Sequence, residues 1–195
     1  YNTLESIRMS LYMKGETEAS KMIRILSDMF RNIMKKDVAV SNREEINYVR
    51  SYLELYQFRY GSRMKYEISI PDEVYRYATI KHILQPVIEN SIVHGYRAGR
   101  TLSIRVQAEH RDDTLRFIVT DDGAGIPAGR LAELRESFEH DLTNEYTAHV
   151  GLYNIQKVIR LTYGAPYGVQ IESTEGQGTA VTLTIPYEVE ENEGC

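Results

Sequence analysis

The chain has 195 residues, 42% of them hydrophobic, and a formal net charge of -5 at pH 7, which is typical of a soluble globular protein. Acidic residues outnumber basic ones, so no broad basic surface is expected and binding to nucleic acid is disfavoured. The single cysteine, Cys195, suits a reducing compartment such as the cytoplasm and excludes an internal disulfide. No run of about 18 apolar residues occurs, so we expect no membrane contact by these residues.

The first part of the chain is predicted to be helical. Apolar residues recur at steps of three and four from Glu18 to Met34, the pattern of an amphipathic helix, and a shorter helix is expected from Thr3 to Met13. Ser41 and Glu44 form a capping box that begins another helix, which ends at Gly61. The narrow apolar seam of that helix fits packing against the following domain or dimerisation equally well.

The pattern changes to mixed helix and strand after Gly61. A short strand is expected from Tyr66 to Ile70, and a helix from Ile80 to His94 with a start or kink at Pro86. A later helix is predicted from about Gly151 to Tyr163. Alternation of apolar and polar residues predicts four strands, over Leu102 to Ala108, Leu115 to Thr120, Val169 to Thr174 and Thr179 to Ile185. We therefore expect an α+β fold, with a mixed sheet covered by helices on one face.

The polar stretch from Pro127 to Val150 is long for a plain connection. Long connections of this kind in compact domains are usually functional, so this stretch is a candidate lid over a binding site.

Carboxylates and glycines stand where the second of the four strands reaches the surface. The residues there are Asp121, Asp122, Gly123, Ala124 and Gly125. Glycines allow a flat ligand to approach the backbone, and an aspartate can accept a hydrogen bond from an exocyclic amine such as that of adenine. A plain turn capped by aspartates explains the same residues equally well.

Polar residues also interrupt the apolar helix that contains Pro86. Asn90 and His94 are four residues apart and lie on one face, with Glu89 alongside. An amide oxygen is a good magnesium ligand and an imidazole can reach a phosphate, so a nucleotide with its metal ion would satisfy both. The alternative is an asparagine bonded to backbone and a surface histidine.

Two further segments have the character of a nucleotide site. Gly151 and Leu152 open a helix after the polar stretch, and the free amides of a helix start are a seat for phosphate. Gly176 and Gly178 lead into the last strand, where the hydroxyl of Thr179 could support Asp121. A simple hairpin turn accounts for these glycines as well.

The order and spacing of these elements resemble the N, G1, G2 and G3 boxes of the ATP-binding fold shared by histidine kinases, Hsp90, MutL and gyrase B, known as the Bergerat or GHKL fold. The matching segments are the Asn90 helix, Asp121-x-Gly123-x-Gly125, Gly151-Leu152-x-Asn154 and Gly176-x-Gly178-Thr179. Within this fold, LQPVIENSIVHG from Leu84 to Gly95 resembles the YesM/LytS type of bacterial sensor histidine kinase. YNTLESI and YLELYQFRYGSR, in the helical part, are similar to segments of the same family.

This resemblance implies a protein-histidine kinase that uses ATP and Mg²⁺. It implies that Asp121 binds adenine, that Asn90 binds magnesium, and that His94 and the helix opened by Gly151 contact the phosphates. Glu89 is expected to orient the metal or the incoming histidine. It further implies a homodimer through the N-terminal helices, a response regulator receiver domain as partner, and a cytoplasmic location in a parent protein anchored in the cell membrane.

Two positions bear on activity. The family's phosphoacceptor histidine would stand upstream of Tyr1, so we expect this chain to bind nucleotide without phosphorylating itself. His149 stands where the family's G2 box usually has glycine, and a side chain there could stiffen the lid or touch the phosphates.

The chain is expected to divide into a helical dimerisation region (1–61), an ATP-binding catalytic domain (62–188) and an acidic tail (189–195). Two other functions remain open. An ATP hydrolase or serine kinase of the same fold is one, although the hydrolases carry a water-activating glutamate at the position of Pro86. The other is a degenerate nucleotide-binding or dimerisation module without kinase activity, for which His149 is the best support.

Overall fold

The structure is a computed structural model that describes residues 2–97, 99–139 and 150–187. The helices are α1 (Asn2–Met13), α2 (Thr17–Met34), α3 (Asn42–Tyr60), α4 (Gln85–Gly95), α5 (Ala128–Glu139) and α6 (Val150–Tyr163). The strands are β1 (Ala39–Ser41), β2 (Met64–Ser69), β3 (Ala78–Ile80), β4 (Leu102–Arg111), β5 (Thr114–Asp121), β6 (Gly168–Thr174) and β7 (Gly178–Pro186). Among these residues no helix has both the length and the apolar character needed to span a bilayer.

The N-terminal helices form where the apolar periodicity predicts them. Helix α1 packs on α2, and α2 packs on α3 through a small cluster of Met22, Ile25, Met29 and Tyr48. Ser41 caps α3 by accepting a hydrogen bond of 3.3 Å from the Glu44 amide, so the predicted helix start is confirmed. Gly61 ends α3 with a positive φ of 59°, which glycine adopts readily.

The apolar seam of α3 is used inside the chain. Ile46, Val49 and Leu53 are at most 1% exposed and belong to the main hydrophobic core. These side chains therefore pack against the following domain within the same chain.

The main sheet has five strands in the order β2-β4-β5-β7-β6. Strands β2 and β4 are parallel, and the other neighbours are antiparallel. Helices α4, α5 and α6 pack on one face of this sheet, with Phe117 and Leu183 fully buried between the layers. The expected α+β fold, a two-layer sandwich with a mixed sheet, is confirmed.

Two predicted elements differ from the structure. The helix expected from Ile80 begins only at Gln85, because Ala78–Ile80 pairs with Ala39–Ser41 as an antiparallel strand and Pro86 lies in the first turn of α4. The polar stretch predicted as a lid from Pro127 begins with α5, which buries Leu131 and Leu134 against the core. Residues 140–149, the remainder of that stretch with His149, lie outside the described residues.

Candidate ATP-binding site

A cleft opens between α4, α6 and the ends of β5, β6 and β7. Its volume is about 440 Å³ including its open side. The cleft is lined by Val87, Asn90, Ser91, His94, Gly95, Asp121, Gly125, Ile126, Leu152, Ile171, Thr179 and Val181. The structure therefore brings together residues from all four of the segments that the sequence singled out.

Asp121 is the last residue of β5 and is held by several donors. Its Oδ2 accepts a hydrogen bond of 2.9 Å from the Ser91 hydroxyl, and its Oδ1 accepts one of 3.0 Å from the Gly123 amide. Burial raises the pKa of Asp121, although the donors Ser91, Gly123 and the Thr179 amide oppose that rise. The carboxylate is thus oriented in an apolar cleft, where it can accept a hydrogen bond from an amine.

The glycines after Asp121 allow backbone segments to meet. A Cβ on Gly125, whose φ is +66°, would overlap the carbonyl oxygen of Thr174, and a Cβ on Gly123 would overlap Gly95. The sequence pattern predicts that these glycines allow close approach by a ligand. In the structure, Gly123 allows the end of β5 to pack closely on α4, and Gly125 allows it to pack closely on the β6–β7 turn.

The glycines of the β6–β7 turn have the same role. Gly178, with φ of +117°, has no room for a Cβ because it would overlap the carbonyl oxygen of Asp121. Gly176 has φ of +86°, and its amide donates to the carbonyl of Ala124. The turn is therefore bonded to the loop after β5, and the two loops form one rim of the cleft.

Asn90 faces the first turn of α6. A Cβ built on Gly151 would lie 3.6 Å from Asn90 Nδ2 and 3.4 Å from Pro86 Cβ, so a larger residue at 151 would narrow this corner. Nδ2 of Asn90 is buried and has no hydrogen-bond partner among the described residues. A buried donor beside a helix start is suited to a ligand oxygen. His94 is exposed one turn further along α4 and lines the same cleft.

Glu89 does not line the cleft in this conformation. Its Oε1 accepts hydrogen bonds from the Tyr52 hydroxyl at 3.0 Å and from Gln85 Nε2 at 2.8 Å. Because Tyr52 belongs to α3, the Glu89 carboxylate faces the helical segment. The sequence placed Glu89 beside Asn90 along α4 but contained no sign of this orientation.

Thr179 supports Asp121 in a way that differs from the sequence expectation. Its hydroxyl lies 2.9 Å from that of Ser173 and only its backbone amide serves Asp121. Ser173 accepts a hydrogen bond from the Ile126 amide and donates one to the Gly178 carbonyl, each of 2.8 Å. Ser173 thus links the loop after β5 to the start of β7. This role was not predicted, because no motif in the neighbouring sequence indicates it.

Ser91 and Arg97 are further site residues that the sequence analysis missed. Ser91 directly follows Asn90, so its position one residue from a proposed ligand was an available signal. Arg97 donates hydrogen bonds to the Ala124 carbonyl at 2.6 Å and to the Gly176 carbonyl at 3.5 Å, and so reinforces the link between the two loops of the rim. Val87, Ile126 and Leu152 supply part of the apolar wall against which a flat base can lie.

Known families and proteins match nearly the whole chain. The family described as histidine kinase-, DNA gyrase B-, and HSP90-like ATPase matches residues 76–189, and the histidine kinase family matches residues 1–64. The sensor histidine kinase YesM of Bacillus subtilis is 36% identical over 189 residues, which are 95% of this chain and 31% of YesM. The sensor protein kinase HptS of Staphylococcus aureus is 30% identical over 95% of this chain and 35% of its own length. The chain thus spans about a third of the length of these curated relatives.

Solved structures share the fold at lower identity. The nucleotide-free catalytic domain of histidine kinase ThkA is 20% identical, with a TM-score of 0.57 over 76% of this chain and 94% of that domain. ThkA in complex with the response regulator protein TrrA also gives a TM-score of 0.57, over 94% of this chain and 53% of ThkA. Fold, cleft and family matches agree. The chain belongs to the histidine kinase-, DNA gyrase B- and HSP90-like ATPase family and is similar to part of the sensor histidine kinase YesM.

Proposed function

We propose that the parent protein transfers the γ-phosphoryl group of ATP to one of its own histidines, located upstream of Tyr1, and that the group then passes to a response regulator receiver domain. The observation that best supports this proposal is that Asp121 and Asn90 line the same cleft. Asp121 is a buried, oriented acceptor at one end, and Asn90 has a buried, unpartnered amide beside the start of α6 at the other. A nucleotide lying along the cleft would satisfy both.

Each end of the nucleotide has a proposed partner. Asp121 accepts the hydrogen bond of the adenine amine, while the base lies between apolar side chains that include Ile126 and Leu152. The free amides of the first turn of α6, where Gly151 leaves the backbone accessible, bind phosphate oxygens. His94 contacts the phosphates from the other side. Catalysis then depends chiefly on positioning and on charge stabilisation.

The residues present fit a magnesium ion that is bound together with the nucleotide. Asn90 would hold it through its amide oxygen, and its amide nitrogen can then donate to a phosphate. Among residues 2–97, 99–139 and 150–187, no group of three or more His, Cys, Asp or Glu could hold a metal by itself. We therefore propose that the phosphates supply most ligands. Mg²⁺ bound there would neutralise charge on the phosphate oxygens.

Glu89 is proposed to orient the histidine that attacks ATP. A neutral imidazole attacks with one nitrogen, and its other nitrogen carries a proton that a carboxylate can accept in a hydrogen bond. The same carboxylate stabilises the positive charge that the ring gains when the N–P bond forms and ADP leaves. The location of Glu89 beside Asn90, on the helix that lines the cleft, supports this role.

We also propose a homodimer formed by the N-terminal helices. We further propose that the helical region (1–61) ends and the ATP-binding domain (62–188) begins between residues 61 and 62. The support is a set of exposed apolar side chains on α1 and α2, namely Ile7, Met9, Tyr12, Met13, Phe30, Ile33 and Met34. Exposed apolar patches of this kind commonly mark association surfaces. A cytoplasmic location of this region, in a parent protein anchored in the membrane, is proposed from the family resemblance.

The competing functions have weaker support. An ATP hydrolase needs a group that activates water, and Pro86, at the position of the hydrolase glutamate, cannot do so. A degenerate binding module is disfavoured by the intact pair of Asp121 and Asn90. A serine kinase of the same fold would not need the helices that precede Gly61.

Calorimetric titration tests the proposal in its first step. ATP and a non-hydrolysable analogue are titrated into the chain with and without magnesium, and saturable binding that magnesium strengthens is expected. The protein extended upstream of Tyr1 is then incubated with ATP labelled at the γ-phosphate, and label is expected on histidine. Absence of binding at millimolar nucleotide would instead indicate the degenerate module, and release of labelled phosphate without labelled protein would indicate a hydrolase.

A further inference from the structure

The Glu89 carboxylate is held from the side of α3. Two donors converge on its Oε1, the hydroxyl of Tyr52 at 3.0 Å and Nε2 of Gln85 at 2.8 Å. Gln85 lies one turn before Glu89 on the same helix, whereas Tyr52 lies on α3, 37 positions earlier in the chain. Since both bonds end on one oxygen, Oε2 keeps its capacity to accept from another donor.

The Tyr52 hydroxyl is suited to donate a hydrogen bond to the Glu89 carboxylate at any physiological pH. It lies 3.3 Å from the hydroxyl of Tyr56, and the two rings are 4.9 Å apart. A phenol has one proton, and an ionised carboxylate is a stronger acceptor than a phenol oxygen, so the Tyr52 hydroxyl donates its hydrogen bond to Glu89 in preference to Tyr56. Burial, Tyr56 and Glu89 all raise the pKa of Tyr52, so it remains a donor throughout the physiological range.

Helix α3 has a defined position relative to α4. Glu45, in the first turn of α3, accepts hydrogen bonds from the amides of His82 and Leu84, at 2.8 and 2.9 Å. Lys81 Nζ donates to the carbonyls of Asn32 and Lys35 at the end of α2, each at 2.7 Å. The segment that leads into α4 is therefore bonded to both α2 and α3, and a shift of α3 would move the Tyr52 hydroxyl relative to Glu89.

We infer that Tyr52, assisted by Gln85, is a positioning residue for Glu89, and that the position of α3 thereby sets where the Glu89 carboxylate points. This inference rests on the proposed role of Glu89 in orienting the attacking histidine. With Oε1 held by Tyr52 and Gln85, Oε2 is the oxygen presented to the imidazole N–H. Tyr52 does not line the cleft, so we expect its effect to fall on the phosphoryl transfer step and to leave nucleotide binding unchanged.

The test uses the protein extended upstream to include the phosphoacceptor histidine, with Tyr52→Phe as the variant. Phenylalanine keeps the ring packing against Tyr56 and removes only the hydroxyl. Tyr60→Phe is the matched control, because Tyr60 lies on the same helix and stacks on Tyr56 at 6.1 Å. For each protein we would measure the Kd for ATP, the kcat and KM of histidine phosphorylation, and the thermal midpoint by circular dichroism.

We expect Tyr52→Phe to lower kcat about tenfold while the Kd for ATP stays within about twofold, and Tyr60→Phe to change neither. A double variant that carries both Tyr52→Phe and Glu89→Gln distinguishes positioning of Glu89 by Tyr52 from a general structural effect of the Tyr52 substitution. If Tyr52 acts through Glu89, adding Tyr52→Phe to the Glu89→Gln variant lowers kcat no further.

Three results would overturn the inference while leaving the proposed function in place. These are an unchanged kcat in Tyr52→Phe, a further tenfold loss in the Glu89→Gln background, and a fall in kcat matched by Tyr60→Phe. The proposed function has a separate readout, because its failure would be seen in the wild-type protein as absent ATP binding or absent histidine phosphorylation. That result would overturn the inference as well.

Discussion

Oε1 of Glu45 accepts a hydrogen bond of 2.9 Å from the backbone amide of Leu84, the residue that precedes α4. The second carboxylate oxygen accepts one of 2.8 Å from the amide of His82. Glu45 is 1% exposed, and its burial raises its pKa to about 7. One buried acid thus joins the first turn of α3 to the segment from which α4 starts.

Glu45 predicts a pH dependence of stability. Its pKa is about 7 in the folded chain and 4.5 without the protein environment, so between these values the folded state holds a proton that the unfolded state has released. The stabilisation is fully present below pH 4.5 and is lost as the pH rises through 7, a change of up to about 3 kcal/mol in the free energy of unfolding. Urea unfolding at pH 4.5 to 8 measures it.

The variant Glu45→Gln should lack this contribution, and Glu44→Gln, at the exposed neighbouring position, should keep it. The difference between wild type and variant is required, because His82 acts in the opposite direction. Burial lowers the pKa of His82, so its stabilisation is lost as the pH falls. Equal pH profiles for wild type and Glu45→Gln would contradict the prediction.

Asp121→Asn is expected to abolish nucleotide binding while the fold is retained. An amide at this position presents donors where the adenine amine needs an acceptor, so the affinity for ATP should fall at least a hundredfold by calorimetry. Asp122→Asn is the matched control, since Oδ1 of Asp122 accepts from the Ser103 amide and Asp122 does not line the cleft. Undiminished affinity in Asp121→Asn would remove Asp121 from the adenine role.

Two glycine substitutions should have opposite effects on stability. Gly178→Ala forces a Cβ against the carbonyl of Asp121 at a left-handed φ, and should lower the free energy of unfolding by at least about 2 kcal/mol. Gly129→Ala, in α5 with open space around it, should raise that free energy by about 0.5–1 kcal/mol. Chemical unfolding of both variants checks this. A tolerated Gly178→Ala would show that the turn can move away from β5.

The exposed apolar surface of the N-terminal helices predicts which substitutions separate a dimer. Phe30 and Ile33 are 51% and 52% exposed on α2, so Phe30→Asp with Ile33→Asp should shift the protein to monomer in sedimentation experiments. Leu161→Asp, on α6 and 77% exposed, should leave the association unchanged. Loss of association with Leu161→Asp alone would place the interface elsewhere.

The sequence by itself determined the secondary structure of most segments and the four segments that meet at the cleft. The strands around Val106 and Leu183 follow an alternation of apolar and polar residues, and the limits of α3 follow from Ser41 and Gly61. These signals are local, because the spacing of apolar residues and the presence of a helix-capping residue can both be recognised within a short stretch of sequence. The spacing of Asn90, Asp121 and the glycines was likewise readable along the chain.

Only the tertiary structure decided how these residues are oriented and supported. The bond between Tyr52 and Glu89 joins residues 37 positions apart, and the Ser173 hydroxyl contacts Ile126 from 47 positions away. No pattern of neighbouring residues encodes such a pair, because the partners meet only after the helices have packed on the sheet. For the same reason, the Thr179 hydroxyl pairs with Ser173, and the site glycines prove to be contacts between backbones.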